Sequence, residues 1–199
     1  GADQLFSTSV DGSPGRTPRG AVDGRDAIVA VAMNGEPLPA EHGFPARMVI
    51  PGLYGFVSAT KWLVSLEATT YAERSAYWTD RGWATDAPVR TMARIEVPRP
   101  LSSIPAGMTA IAGTAWAQHR GIERVEVQVD DEPWTAARLG EVPSVDTWRQ
   151  WWLPWYADSG RHTIRVRATD ATGQTQPADR LAPFPSGAQG WHEVVAIVT

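Results

Sequence analysis

The apolar positions divide the chain into two textures. From Met92 onward, short apolar runs recur at Arg94–Val97, Met108–Trp116, Ile122–Val129, Trp134–Leu139, Thr147–Leu153, His162–Ala168 and Trp191–Val198. Several of them alternate. Between 122 and 129, Val125, Val127 and Val129 fall on one face, with Glu126 and Gln128 on the other. Between 163 and 168, Ile164, Val166 and Ala168 oppose Arg165 and Arg167. A period of two marks half-buried antiparallel strands. About seven such strands, separated by Gly, Asp and Pro turns, predict an immunoglobulin-like sandwich.

Before Met92 the pattern is broken by proline and glycine. Gly1–Gly20 holds few apolar residues and reads as loop, entered in the middle of a domain. Ala27–Met33 is a continuous apolar run that fits either a buried strand or a helix. Asn34-Gly35 is a tight-turn signal, and Glu36–Pro39 is held extended by its prolines. A turn at His42–Pro45 precedes a strand at Ala46–Ile50, which stops at Pro51-Gly52, and Lys61–Leu66 reads as a further strand. Ala68–Pro88 is polar and irregular, with Tyr71, Tyr77, Trp78 and Trp83 as aromatic anchors and one helical turn expected near Ala72–Tyr77. The fold class expected is therefore mainly β. A partial α+β domain over 1–91 precedes an antiparallel β-sandwich over 92–199, with the boundary near residues 89–93.

Composition narrows the function classes. At 43% hydrophobic and 20% charged, the chain has ordinary soluble globular content. No apolar run approaches the roughly 20 residues of a membrane span, and no basic-then-apolar leader opens the sequence. Nothing in the residues indicates a compartment. The net charge of −4 is mixed in sign along the chain, which argues against a nucleic-acid surface. The absence of cysteine excludes disulfides, thiolate nucleophiles and Cys-based metal sites within these residues. Of the ten tryptophans, seven lie from Trp116 onward. Because a Trp buries on the order of 200 Å², they suffice for a core without cross-links. Trp148, Trp151, Trp152 and Trp155 read as core and interface packing, with a stacking platform for sugars or bases as the competing account. His119 and His162 read as turn and strand-end residues, and His192 is open between a structural role and lining a route to a site. Asp130–Glu132 and Asp170–Gly173 lack the alternating spacing of a calcium loop and read as hairpin turns.

Three polar residues of the first half stand out: His42, Arg47 and Lys61. Arg offers a planar fork and Lys a point charge for phosphate oxygens. The loop at 55–60, rich in Gly, Ser and Ala, lets backbone N–H groups approach an anion. The competing account is three ordinary surface charges near turns, and spacing alone leaves both open.

One ordered series separates them. Met33-Asn34-Gly35-Glu36-Pro37-Leu38-Pro39, His42-Gly43-Phe44-Pro45-Ala46-Arg47, Val49-Ile50-Pro51-Gly52 and Lys61-Trp62 closely resemble the M-N-G-x-x-L-P … H-G-F-P-x-R … V-x-P-G … K-W-L signature of the sulfite oxidase family of molybdopterin enzymes. In the second half, 121–127, Trp134, Asp146-Thr147-Trp148, Ala168-Thr169-Asp170, 174–177 and Trp191-His192 resemble that family's dimerisation domain. The resemblance implies a molybdopterin-dependent oxidoreductase of which this chain is the C-terminal portion. Mo-molybdopterin would be held by Asp11, His42, Arg47, Ser58, Ala59, Thr60 and Lys61, a small molecule would be the substrate, and residues 92–199 would form a homodimer. Bacterial relatives include membrane-attached and exported forms.

Three departures qualify it. The family's molybdenum-ligating cysteine has no counterpart in these residues, so the chain alone is expected to be inactive. Ser13 stands where many relatives carry a tyrosine, and Pro183–Gly187 has no basic residue where sulfite oxidases carry an arginine. A buried sulfite dianion calls for positive partners, so the resemblance is one of fold and cofactor rather than of substrate. Two rival readings remain: a non-catalytic assembly and interaction module, and a sugar- or surface-binding sandwich with exposed tryptophans in a line.

Overall fold

A computed structural model of the chain describes residues 1–23 and 26–199. They divide by contacts into two compact units, Gly1–Val89 with Pro183–Gly187, and Arg90–Ala182 with Ala188–Thr199. Short hydrophobic segments of both units form sheets rather than helices.

In the first unit the strands are β1 (Gln4–Ser9), β2 (Pro14–Pro18), β3 (Ile28–Ala30), β4 (Ala32–Met33), β5 (Glu36–Pro37), β6 (Arg47–Val49) and β7 (Leu63–Thr69). Two single-turn helices, α1 (Gly55–Ser58) and α2 (Tyr77–Asp80), accompany them. β2, β1 and β7 make one antiparallel sheet, and β3 pairs with β6. β4 and β5 form a hairpin across Asn34-Gly35, both at positive φ, as the turn signal requires. The core gathers Met48, Ile50, Leu53, Val57 and Ala87, with Leu5, Phe56 and Leu63 packed on it.

Three expectations for this unit are corrected. The segment 1–20 is not loop: it supplies β1 and β2. Apart from Phe6, their buried positions are the polar residues Gln4, Ser7, Ser9, Arg16 and Thr17, so burial along them carries little apolar signal. The Arg16 guanidinium lies 4.6 Å over the Tyr71 ring, and burial pulls its pKa down. The strand expected at 61–66 runs from Leu63 to Thr69 instead, because Trp62 adopts φ 50° and breaks the extended backbone. The helical turn expected at 72–77 is displaced to α2. Before α2, Glu73 accepts hydrogen bonds from the Thr69 and Thr70 hydroxyls and fixes a non-helical turn.

In the second unit β8 (Met92–Val97), β9 (Ser103–Ile104), β10 (Gly107–Trp116), β11 (Ile122–Val129), β12 (Thr135–Ala136), β13 (Arg138–Leu139), β14 (Arg149–Ala157), β15 (Gly160–Asp170) and β16 (His192–Val198) build two sheets. Their orders are β13-β14-β10-β8 and β12-β11-β15-β16-β9, and every pairing is antiparallel except the short edge pair β16–β9. Inward residues Ile111, Val125, Val127, Trp151, Ile164, Val166 and Val194 fill the space between the sheets. Gly113, at a register shift between β10 and β8, leaves the room that the Trp151 indole occupies.

Asp170 and Gln176, both buried in this unit, are well supplied with hydrogen bonds, whereas Trp116 Nε1, Arg149 Nε and Trp151 Nε1 are buried without a partner among the described residues. Asp170 is fully buried and accepts hydrogen bonds from the Arg120 guanidinium, the Thr91 and Thr172 hydroxyls and the Thr172 and Gln174 N–H groups. Burial pushes its pKa up, but these donors outweigh burial and hold it well below the usual carboxylate range. Gln176 accepts from Ala93 N–H and Ala168 N–H and donates to Gly190 C=O, joining β8, β15 and the approach to β16. His192 Nδ1 accepts from Ile95 N–H at 3.0 Å, which places it in the structural class. Burial, with Arg94 and Arg180 nearby, lowers its pKa. His162 pairs with Asp130 at 2.9 Å, and that hydrogen bond raises the histidine's pKa against the effect of burial.

Removing the Asp170 carboxylate strands Arg120 and two backbone donors, and Asp170→Ala is expected to lose about 3 to 5 kcal/mol in chemical denaturation. Because the folded pKa of Asp170 lies below its unfolded value, its contribution is complete above about pH 4. It is lost as pH falls further, and the Asp170→Ala penalty should shrink in the same range.

Candidate functional site

The site is built by backbone stitching around residues 59–62. On one side, Val10 N–H donates to Trp62 C=O at 2.9 Å, and Ser7 Oγ meets Thr60 Oγ1 at 2.7 Å. On the other, Met48 N–H donates to Thr60 C=O, Leu63 N–H to Ala46 C=O and Trp62 N–H to Gly43 C=O. The segment therefore bridges the β1–β2 turn, which carries Asp11, and the turn before β6, which carries His42 and Arg47. β2 is tied to α1 by Thr17 Oγ1 donating to Val57 C=O at 2.6 Å.

A recess of about 200 Å³ opens at this junction. Asp11, Ala59, Thr60 and Lys61 line it together with Ser9, Ser13, Gly15, Phe56, Trp62 and Trp78. The backbone N–H groups of Thr60 and Lys61 donate to no acceptor among the described residues. Two successive unused donors next to a lysine form a concavity suited to an anion. Lys61 Nζ donates to Glu41 C=O at 3.1 Å and lies 4.3 Å from the Trp62 ring. Asp11 Oδ1 accepts from Ser9 Oγ and from Ser13 N–H, and these two hydrogen bonds, Ser9's first, lower its pKa. Gly15 is required here, since a side chain would meet the Thr60 and Ser7 hydroxyls.

His42 and Arg47 adjoin this recess through the backbone but are not among the residues lining it. Arg47 Nη1 donates to His42 C=O at 3.3 Å, while Arg47 Nε is buried without a hydrogen-bond partner. His42 Nε2 lies 3.8 Å from the Glu41 carboxylate. Gly43, at φ 107°, brings Arg47 and Lys61 together: a Cβ there would sit 3.1 Å from Arg47 Cβ and 3.0 Å from Lys61 Cβ. Ser58 is set apart from the recess. Its hydroxyl is turned inward, donating to Leu53 and Tyr54 C=O.

Sequence reasoning missed the aromatic side of the recess. Phe56 packs 4.8 Å from Trp83, Trp78 lies edge-on to Trp83 at 5.9 Å, and Phe184 lies edge-on to Trp83 at 5.5 Å. Pro183–Gly187 belongs to this first unit and is anchored there by Ala84 N–H donating to Pro185 C=O. Only a contact map brings so distant a segment to 54–83. Ser9 and Ser13 were missed because the strand leading to them is polar on its buried positions, although both flank the Val10-Asp11-Gly12 turn.

The chain is similar to known proteins over most of its length. The model of the oxidoreductase molybdopterin binding domain matches residues 3–78. The chain is 30% identical to mitochondrial sulfite oxidase of Homo sapiens over 87% of its own length and 37% of that protein. These matches support a molybdenum oxidoreductase of the sulfite oxidase family. Sulfite oxidase of Gallus gallus is 29% identical over 92% of this chain and 46% of that one. Among solved structures, the sulfane dehydrogenase SoxCD of Paracoccus pantotrophus superposes with a TM-score of 0.73 at 26% identity, over 89% of this chain and 49% of that one. The chain thus spans less than half the length of these family members. Among the described residues no helix is long and apolar enough to cross a membrane.

Gly43→Ala is expected to cost about 1 to 2 kcal/mol through its left-handed φ and to force Arg47 and Lys61 apart. The loss would be read in thermal denaturation. A fall below about 0.5 kcal/mol would contradict the close approach described here.

Proposed function

We propose that this chain is the C-terminal portion of a molybdenum-cofactor oxidoreductase. Residues 1–91 contribute part of the pterin-binding site and residues 92–199 the dimer interface. The observation that carries the first half is the pair of unused N–H donors at Thr60 and Lys61, two residues that line a recess together with Asp11. The orphaned Arg47 Nε adds a buried donor without an acceptor, as a missing polar group would leave it.

The residues present fit a large phosphorylated, polyoxygenated group. Lys61 and the two N–H groups would hold an anionic oxygen, Arg47 would present its guanidinium to another, and Asp11 would accept from a ring N–H. His42 and the backbone at Ala59 would border the same group, and Ser58 would act by holding the turn in shape. When bound, such a centre supplies two-electron redox chemistry that side chains lack, leaving the protein to bind, orient and tune it. No cysteine occurs among the 199 residues, so a thiolate ligand for the metal would come from outside them. Sulfite is disfavoured as substrate: where a cation would be wanted, Pro183–Gly187 offers Phe184 packed on Trp83.

The second half rests on the outward face of the β13-β14-β10-β8 sheet. Met108 faces Tyr156, and Val97 and Trp152 flank Ala112, and all four large side chains are exposed. An apolar stripe of this kind suits a self-complementary two-fold contact.

Two outcomes test these assignments. In the full-length gene product, purified from a host that makes the cofactor, Lys61→Ala and Arg47→Ala should each lower bound molybdenum and pterin by about tenfold, as expected when a charge-assisted hydrogen bond is removed. Metal-free wild-type protein from the same host would defeat the enzyme reading and leave the non-catalytic module. Trp152→Glu should convert a dimer to a monomer in light scattering. A wild-type monomer, or a variant that stays dimeric, would overturn the interface.

A further inference from the structure

The second unit holds a separate recess that none of the cofactor chemistry uses. Its volume is about 170 Å³, and its wall combines Arg120 and Arg149 with Ile122, Val142, Val145 and Ala171. Arg149 makes no hydrogen bond or ion pair among the described residues, and its Nε is buried without an acceptor. Arg120 is half committed: Nε donates to Asp170 and one terminal nitrogen to Thr91, each within 2.9 Å. The nearest carboxylates are already engaged. Asp170 is saturated by its five donors, and Asp146 accepts from Gln118 and from His119 N–H. The recess is therefore lined by two arginines and, among the described residues, by no carboxylate.

A buried Nε–H without an acceptor is costly, and an arginine fork matches the two oxygens of a carboxylate. Ser144 and Thr147 also line the recess, but Ala117, Ile122, Val142, Val145 and Ala171 make the rest of the wall mostly aliphatic, which favours a ligand with an apolar body over a strongly hydrated inorganic anion. Size sets the scale, since an apolar cavity of about 150 Å³ accommodates benzene. We propose that this recess binds a small organic monocarboxylate, its carboxylate on Arg149 and its apolar body against Val142 and Val145. The site lies entirely within the sandwich unit and stands whether or not the first unit holds a cofactor.

The test is a titration of the ¹⁵N-labelled chain followed by amide shifts, with benzoate, benzamide and inorganic phosphate as probes. Benzoate should bind saturably, at about 1 to 10 mM or tighter, moving the Gly121, Thr147 and Ala171 amides. Benzamide, which has the same shape without the charge, should bind at least about tenfold more weakly, and so should phosphate, which lacks the apolar body. Arg149→Gln should remove the benzoate response by a similar factor. Should that variant unfold, Val145→Phe fills the recess while leaving Arg149 in place, and it should abolish binding with the circular dichroism unchanged. Equal binding of benzoate and benzamide overturns the proposal. So does phosphate binding as tightly as benzoate, benzoate binding that survives Val145→Phe, or no saturable response to benzoate.

Discussion

The first unit depends on the two-sided hydrogen bonding of residues 59–62. This short segment donates to Gly43 and accepts from Val10 and Met48, so it is held by β1 on one side and by the β6 turn on the other. The left-handed backbone at Trp62 interrupts the regular ladder that a continuous strand would form with its neighbours. With the regular pattern broken, the N–H groups of Thr60 and Lys61 are left without an acceptor among the described residues, and both residues line the recess. Asp11, Arg47 and Lys61 are far apart in sequence, and this one segment brings them within a single neighbourhood.

The sandwich unit relies on a different constraint. Its interior is apolar, but the sheet margins are locked by buried polar groups with complete hydrogen bonding, Asp170 with Arg120 and Gln176 with three strands. Buried polar groups stabilise only when every member is satisfied. Asp170 and Gln176 meet that condition, while Arg149 Nε is buried without an acceptor among the described residues, as are Trp116 Nε1 and Trp151 Nε1. Trp116 pairs with Trp148, Trp134 with Trp191, and Trp151 is in the core, so of the tryptophans in this unit only Trp148 and Trp152 are exposed. That arrangement weakens the case for a sugar-binding platform.

Much of this was legible in the residues. The alternation at 122–129 and 163–168 gave β11 and β15, because each strand has one wet and one dry face. Asn34-Gly35 announced its hairpin through the φ it requires. The signature from Met33 to Trp62 marked the turn at 42–45 and the loop at 55–60 that adjoin the recess, since glycine and proline fix local backbone shape. What stayed hidden was non-local. β1 and β2 bury Gln4, Ser7, Arg16 and Thr17, whose partners lie 40 to 70 residues away, as Thr17 with Val57 and Gln4 with Arg74 show. Phe184 joins Trp83 across a stretch that sequence pattern assigns wholly to another domain. The recess at Arg149 depends on the loop between β13 and β14 folding back towards Gly121, which no periodicity encodes.

Amide hydrogen exchange at Thr60 and Lys61, measured in the full-length protein with and without its cofactor, reaches the main claim most directly. Both amides should exchange fast without cofactor, having no acceptor, and should become strongly protected when it is bound. Equal exchange in the two states would contradict the account, as would protection already present without cofactor.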